Sequence, residues 1–199
     1  MTKMEVEIGP EQEAAAKGLV RKYMEIKNKL AEIGYEWGSV ALAESNEEID
    51  NKKAQAQYEK LQKEDKGSSL VEERDKVLNE LSEMFGETGI MRSKTQKFHQ
   101  ENESAILDKE PAEFTYTLLE KLSKDIQILE VEHYPEAKGF EDRRSLRETD
   151  YKEGTIPEEL TAAIEKLKQE AIAKGIDEDK VDLVIEVRKR NLMTSLNGD

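Results

Sequence analysis

Apolar residues between Ala16 and Leu61 recur in alternating steps of three and four: Ala16, Leu19, Tyr23, Ile26, Leu30, Ile33, Trp37 and Val40. The steps lapse at Glu44, Glu47 and Asn51, then resume in phase at Ala54, Tyr58 and Leu61. A seven-residue repeat of this kind is the seam of a helix that lies along another helix. A second seam runs from Leu70 through Val77, Leu81, Met84, Met91 and Phe98 to Ala105. Between the two, Lys66-Gly67-Ser68-Ser69 has turn composition, and Ser69-Leu70-Val71-Glu72 has the spacing of a capping box. Folding the chain at Gly67 sets the seams antiparallel, with Leu61 near Arg74, Tyr58 near Val77, Ala54 near Leu81 and Trp37 near Phe98. Residues 11–108 are therefore expected to form a long antiparallel helical hairpin, a coiled coil with a first arm of roughly 80 Å.

The expected hairpin is weak at its middle. Glu44, Glu47 and Asn51 fall opposite a stretch that contains Gly86 and Gly89, and each glycine costs a helix about 1 kcal/mol relative to alanine. These five residues are the candidate hinge. Gly34 and Gly38 flank Trp37 and weaken the first arm again. The alternative is four shorter helices, near 12–33, 39–65, 70–85 and 90–107, folded into a bundle. The seam that stays in phase across the gap favours the hairpin, because a bundle needs no such phase.

Beyond the hairpin, Glu110-Pro111 opens a new helix that carries Phe114, Leu118 and Leu122 to about residue 124. Ile126, Ile128, Leu129 and Val131 suit a strand at 126–132, with a continued helix to Glu132 as the other reading. Residues 135–154 read as a loop. Thr155-Ile156-Pro157-Glu158 has capping-box spacing, and Leu160, Ala163, Ile164, Leu167 and Ala171 give the helix after it an apolar face that Gly175 ends. Val181, Leu183, Ile185 and Val187 alternate with their neighbours and suggest a strand at 181–187. Residues 109–190 thus read as a small α+β unit, which an N-terminal strand at 4–8 can join, with a mobile tail at 191–199. The fold class expected is mainly α.

Composition agrees with narrow seams and wide solvated faces: 36% of the residues are hydrophobic and 38% charged. The net charge of −14 is spread evenly, with 23 acids against 16 bases up to Asp108 and 22 against 15 after it. Such a surface disfavours direct binding of nucleic acid and of anionic lipid. The chain has no cysteine, which removes disulfides, thiolate metal sites and thiol catalysis. No apolar run is long enough for a membrane span and no signal core precedes Gly9, so the expected place is the cytoplasm.

Candidate chemistry is sparse. His99 and His133 are the two histidines, and neither has a histidine partner at helical spacing. His99 is expected at the surface or the seam edge, and His133 at the end of an element. Asp177-Glu178-Asp179 with Asp182 lacks the glycine and spacing of a calcium loop and reads as helix capping. Two basic clusters are candidate docking points for a partner: Arg143, Arg144 and Arg147, and Arg188, Lys189 and Arg190. Glu64, Asp65, Glu72 and Glu73 make the expected hairpin tip acidic. No catalytic, metal or cofactor site is identified, and no cofactor is expected. The reading that follows is a non-enzymatic interaction or scaffold protein. Its hairpin would serve as spacer or docking arm for another protein or for a second copy. The alternative is an acidic inhibitor that mimics nucleic acid in the basic groove of a nucleic-acid enzyme.

Overall fold

The structure, a computed structural model, describes residues 9–64, 67–87, 93–135, 146, 149–150 and 153–190. These residues form helices α1 (Pro10–Ser45), α2 (Asn51–Glu64), α3 (Gly67–Met84), α4 (Ser93–Lys109), α5 (Thr115–His133), α6 (Glu158–Ala173) and α7 (Glu178–Lys189). A 3-10 turn, Pro111–Phe114, precedes α5. The chain divides into two units. The first is Met1–Leu30 with Asp65–Phe114; the second is Ala31–Glu64 with Thr115–Asp199. Helix α1 therefore contributes residues to both.

In the first unit, α1 starts where Gly9 precedes Pro10, and Gln12 accepts the Gly9 N–H at 3.1 Å. Its buried residues are Ala16, Val20 and Met24, with Ile26 beside them. Ala16 and Ile26 lie on the seam read in the sequence and Val20 and Met24 one position beyond it, while Leu19, Tyr23 and Leu30 are half-buried. Helix α3 adds Val77, Leu78 and Leu81, α4 adds Leu107, and the 3-10 turn adds Phe114. Ion pairs tie α1 to α4 and to the turn that follows it. Lys27 meets Glu103 at 2.7 Å, and Arg21, earlier in α1, meets Glu110 and Glu113, both at 2.8 Å. The Arg21 guanidinium also sits 5.9 Å from the centre of the buried Phe114 ring.

In the second unit, Leu118, Leu119, Leu122 and Ile126 of α5 are buried together with Leu160 and Ile164 of α6 and Val181, Val184, Ile185 and Val187 of α7. Burying side chains of this size contributes roughly 1.5–3 kcal/mol each. Helix α6 ends in a Schellman motif: Gly175 has φ +86°, its N–H bonds to the Ile172 carbonyl, and the Ile176 N–H bonds to Ala171. Gly34 and Gly38 do not break α1, since both are buried positions inside the continuous helix.

The long seams do not run straight on; each arm turns back at its middle. Helix α1 ends in a second Schellman motif, in which the Glu47 N–H bonds to Glu44 and the Glu48 N–H to Ala43. Glu47 occupies the left-handed position, at φ 58°. Past this turn, Tyr58 of α2 stacks on Trp37 of α1 at 5.1 Å between ring centres, and Asn51 donates to Glu44. The second pair lies nested inside the first, as a reversal requires. Ala54 of α2 is fully buried. The same device ends α3, where Gly86 has φ +63° and the Glu87 N–H bonds to Ser82. Phe85 then packs on Phe98 at 5.1 Å, while Glu87 accepts from the Lys94 and Thr95 N–H groups and the Thr95 hydroxyl. That carboxylate caps α4, and its hydrogen bonds hold it below the usual carboxylate range against the opposing effect of burial.

Several expectations are corrected. Glu73, expected near the tip beside residues 61–65, pairs with Lys22 at 3.0 Å. The helix boundaries resemble the four-helix alternative, except that α1 passes through Gly34 and Gly38 to Ser45. The expected strands at 126–132 and 181–187 are helix, in α5 and α7, so the C-terminal part carries no α+β unit among the described residues. β-branched residues have only a weak preference, and burial at 181, 184 and 185 follows helical spacing. Neither capping box forms: α3 begins at Gly67, and Pro157 precedes α6 while the Thr155 hydroxyl bonds to Asp150. Strand 4–8 and tail 191–199 lie outside the described residues.

The turn at Glu47 gives a direct test. Glu47→Gly removes the steric strain of a left-handed glutamate and is expected to raise unfolding stability by about 1 kcal/mol, whereas Glu47→Val lowers it. A helix continuous through residue 47 would give the opposite result for glycine, a loss of about 1 kcal/mol. Urea denaturation followed by the fluorescence of Trp37, the one tryptophan, distinguishes the two.

Candidate functional site

Two described side chains that can carry charge are buried, His99 in the first unit and Glu130 in the second. In the first unit, His99 of α4 is 2% exposed. Helical spacing puts it one turn before Glu103, and its Nδ1 lies 3.5 Å from Glu103 Oε2. The other oxygen of Glu103 accepts from Lys27 Nζ of α1 at 2.7 Å. Tyr23, one turn before Lys27, meets the imidazole edge-on, with ring centres 4.5 Å apart. His99 Nε2 is buried with no hydrogen-bond partner. Burial holds the ring below its ordinary histidine range. Glu103 favours the charged form and Lys27 opposes it, and burial outweighs the carboxylate.

This group pairs a base with an orienting acid, as general-base chemistry requires. A base must also reach a substrate proton, and the His99 ring does not open to solvent. The arrangement suits an internal electrostatic contact between α1 and α4. His99, expected at the surface or seam edge, is thus a core residue. Its spacing from Glu103 is legible in the sequence, but Lys27 and Tyr23 arrive from a helix about 75 residues away and are not.

In the second unit, Glu130 of α5 is 4% exposed and pairs with Arg188 of α7 at 2.7 Å. The C-terminal basic cluster is engaged within the unit. Lys189 pairs with Glu186 at 2.9 Å, and Arg190 donates to Asn46 Oδ1 and Ser45 Oγ in the α1–α2 turn. Arg143, Arg144 and Arg147 lie outside the described residues. Lys168 of α6 bridges Asp182 and Glu178 at 2.6 and 2.9 Å, and their hydrogen bonds raise it above the usual lysine range. Glu178 and Asp182 thereby join α7 to α6. His133 closes α5, its Nδ1 2.8 Å from the Leu129 carbonyl, so it does end an element.

Of the candidate hinge, Glu47 and Gly86 take the left-handed turn positions, Glu44 and Asn51 bond across the first turn, and Gly89 lies outside the described residues. Of the acidic tip, Glu64 ends α2 and is exposed, Glu72 is exposed on α3, Glu73 pairs with Lys22, and Asp65 lies outside the described residues. Among the described residues, no group of three or more His, Cys, Asp or Glu side chains could hold a metal ion. No described helix is long and apolar enough to cross a membrane.

The Glu130–Arg188 pair predicts an asymmetry. Arg188→Met takes the cation away from a buried carboxylate and is expected to lower stability by about 3 kcal/mol. Adding Glu130→Leu recovers at least half of that loss, since a well-packed apolar pair can replace a buried ion pair. Chemical denaturation of the two variants beside the parent measures both values.

No protein-family model, curated protein or solved structure matches the chain.

Proposed function

We propose that this chain is a non-enzymatic interaction protein of the cytoplasm that docks another protein on a helical face of the second unit. The observation that carries this reading is on α5, where Ile128 is 56% exposed and Val131 is 42% exposed. They are three residues apart and so adjacent on the helix surface. Glu132, one turn after Ile128, is also exposed and adds an acid beside them. The net charge of −14 draws a basic partner toward this surface and opposes a second copy of the same chain. The partner that fits is a basic amphipathic segment with an apolar stripe at helical spacing. With the arms turned back at Glu47 and Gly86, the role is docking rather than spacing.

The alternative, an acidic decoy for a basic nucleic-acid groove, draws on the same net charge but makes no use of Ile128 or Val131. Immobilised chain with both residues changed to serine is expected to lose the proteins that the parent retains. Nucleic acid should not displace them from the parent. Equal retention by the two chains contradicts the docking face, and displacement by nucleic acid favours the decoy.

A further inference from the structure

The Lys27–Glu103–His99 cluster holds one anion for two basic side chains. With the imidazole neutral, lysine and glutamate balance, and the cluster carries no net charge. A proton on His99 puts a second cation on a carboxylate that Lys27 already holds at 2.7 Å. The imidazolium must donate from both nitrogens, yet Nε2 is buried and has no acceptor within reach. The ring cannot turn toward water without leaving its edge-on contact with Tyr23. Leaving a buried donor unsatisfied beside an unbalanced charge is among the more costly changes a core can undergo.

We propose that His99, Glu103 and Lys27 form an acid-sensitive latch between α1 and α4, which opens when a proton on His99 sets two cations against one carboxylate. Three named groups face the imidazole: Glu103 on its own helix, and Lys27 and Tyr23 on α1. Among the described residues, Glu103 and Lys27 are the charges that act on the ring. From the side of α3, Phe85 packs against the neighbouring Phe98 and brings no charge.

The direction of the response follows from linkage. The docked ring sits below the ordinary histidine value of 6.5, so the opened chain binds the proton more readily. Docking is therefore fully favoured above that value. It weakens as pH falls toward the docked ring's own midpoint. The open-to-docked ratio can rise by at most about tenfold per pH unit. Ordinary carboxylates titrate near 4, so a window between pH 7.5 and 5.5 isolates histidine. His133, the other histidine, lies in the second unit.

Hydrogen exchange on the full chain at pH 7.5 and 5.5, corrected for intrinsic exchange, tests the latch. Protection of the α4 amides is expected to fall by up to about tenfold at the lower pH, while that of α6 holds. His99→Gln removes the fall. Lys27→Met frees Glu103 for the imidazolium and reduces it. Equal α4 protection at both pH values overturns the proposal, as does a fall that persists undiminished in His99→Gln. If that variant does not fold, Lys27→Met and the imidazole proton resonance of the parent chain decide. A His99 ring that titrates below 6.5, with α4 exchange following the same midpoint, supports the latch; one that titrates at or above 6.5 overturns it.

Discussion

The left-handed turn at Glu47 is the constraint on which the arrangement of the second unit's N-terminal part depends. One residue at φ 58° ends a 36-residue helix and sends the chain back along itself. The stack of Trp37 on Tyr58 and the bond between Asn51 and Glu44 close the turn, and Arg190 clamps it from the end of α7 through Asn46 and Ser45. Glycine occupies the equivalent position at the ends of α3 and α6. Glutamate at the third costs on the order of 1–2 kcal/mol of backbone strain, which the stack and the clamp offset.

The helices were legible because their apolar positions recur with helical spacing over many turns. The breaks after Ser45 and Met84 were legible as well, from acids at seam positions and glycines beside them. What the seam could not show was the direction of the chain after the break. A helix that folds back on its own seam keeps the same phase as one that runs straight on, because the same face is buried either way. Trp37 and Tyr58 illustrate this: both lie on the expected seam, and they stack on each other. The expected strands failed for a different reason. Val181, Ile185 and Val187 have β-branched side chains, but Lys168 ties Glu178 and Asp182 to α6, and the helix buries 181, 184 and 185 on one side.

The two buried polar clusters show how far a sequence can carry a site. His99–Glu103 is an i, i+4 pair and could be found by spacing; Glu130–Arg188 joins residues 58 apart and could not. Both place a carboxylate between helices that the sequence does not say are neighbours. The internal acceptors of the arginines and lysine at 188–190, Glu130, Glu186 and Asn46, were invisible in one dimension. The exposed pair Ile128 and Val131 on α5, on a chain of net charge −14, is the feature the proposed docking role draws on.

The reversal at residue 47 is the claim most open to measurement. Spin labels at residues 36 and 59, both exposed glutamates in the second unit, report it through their dipolar coupling. The turned-back chain predicts neighbouring helices, with backbone positions on the order of 10 Å apart. A helix running straight from 36 to 59 would separate them by about 35 Å, and a coupling that corresponds to that distance would contradict the account.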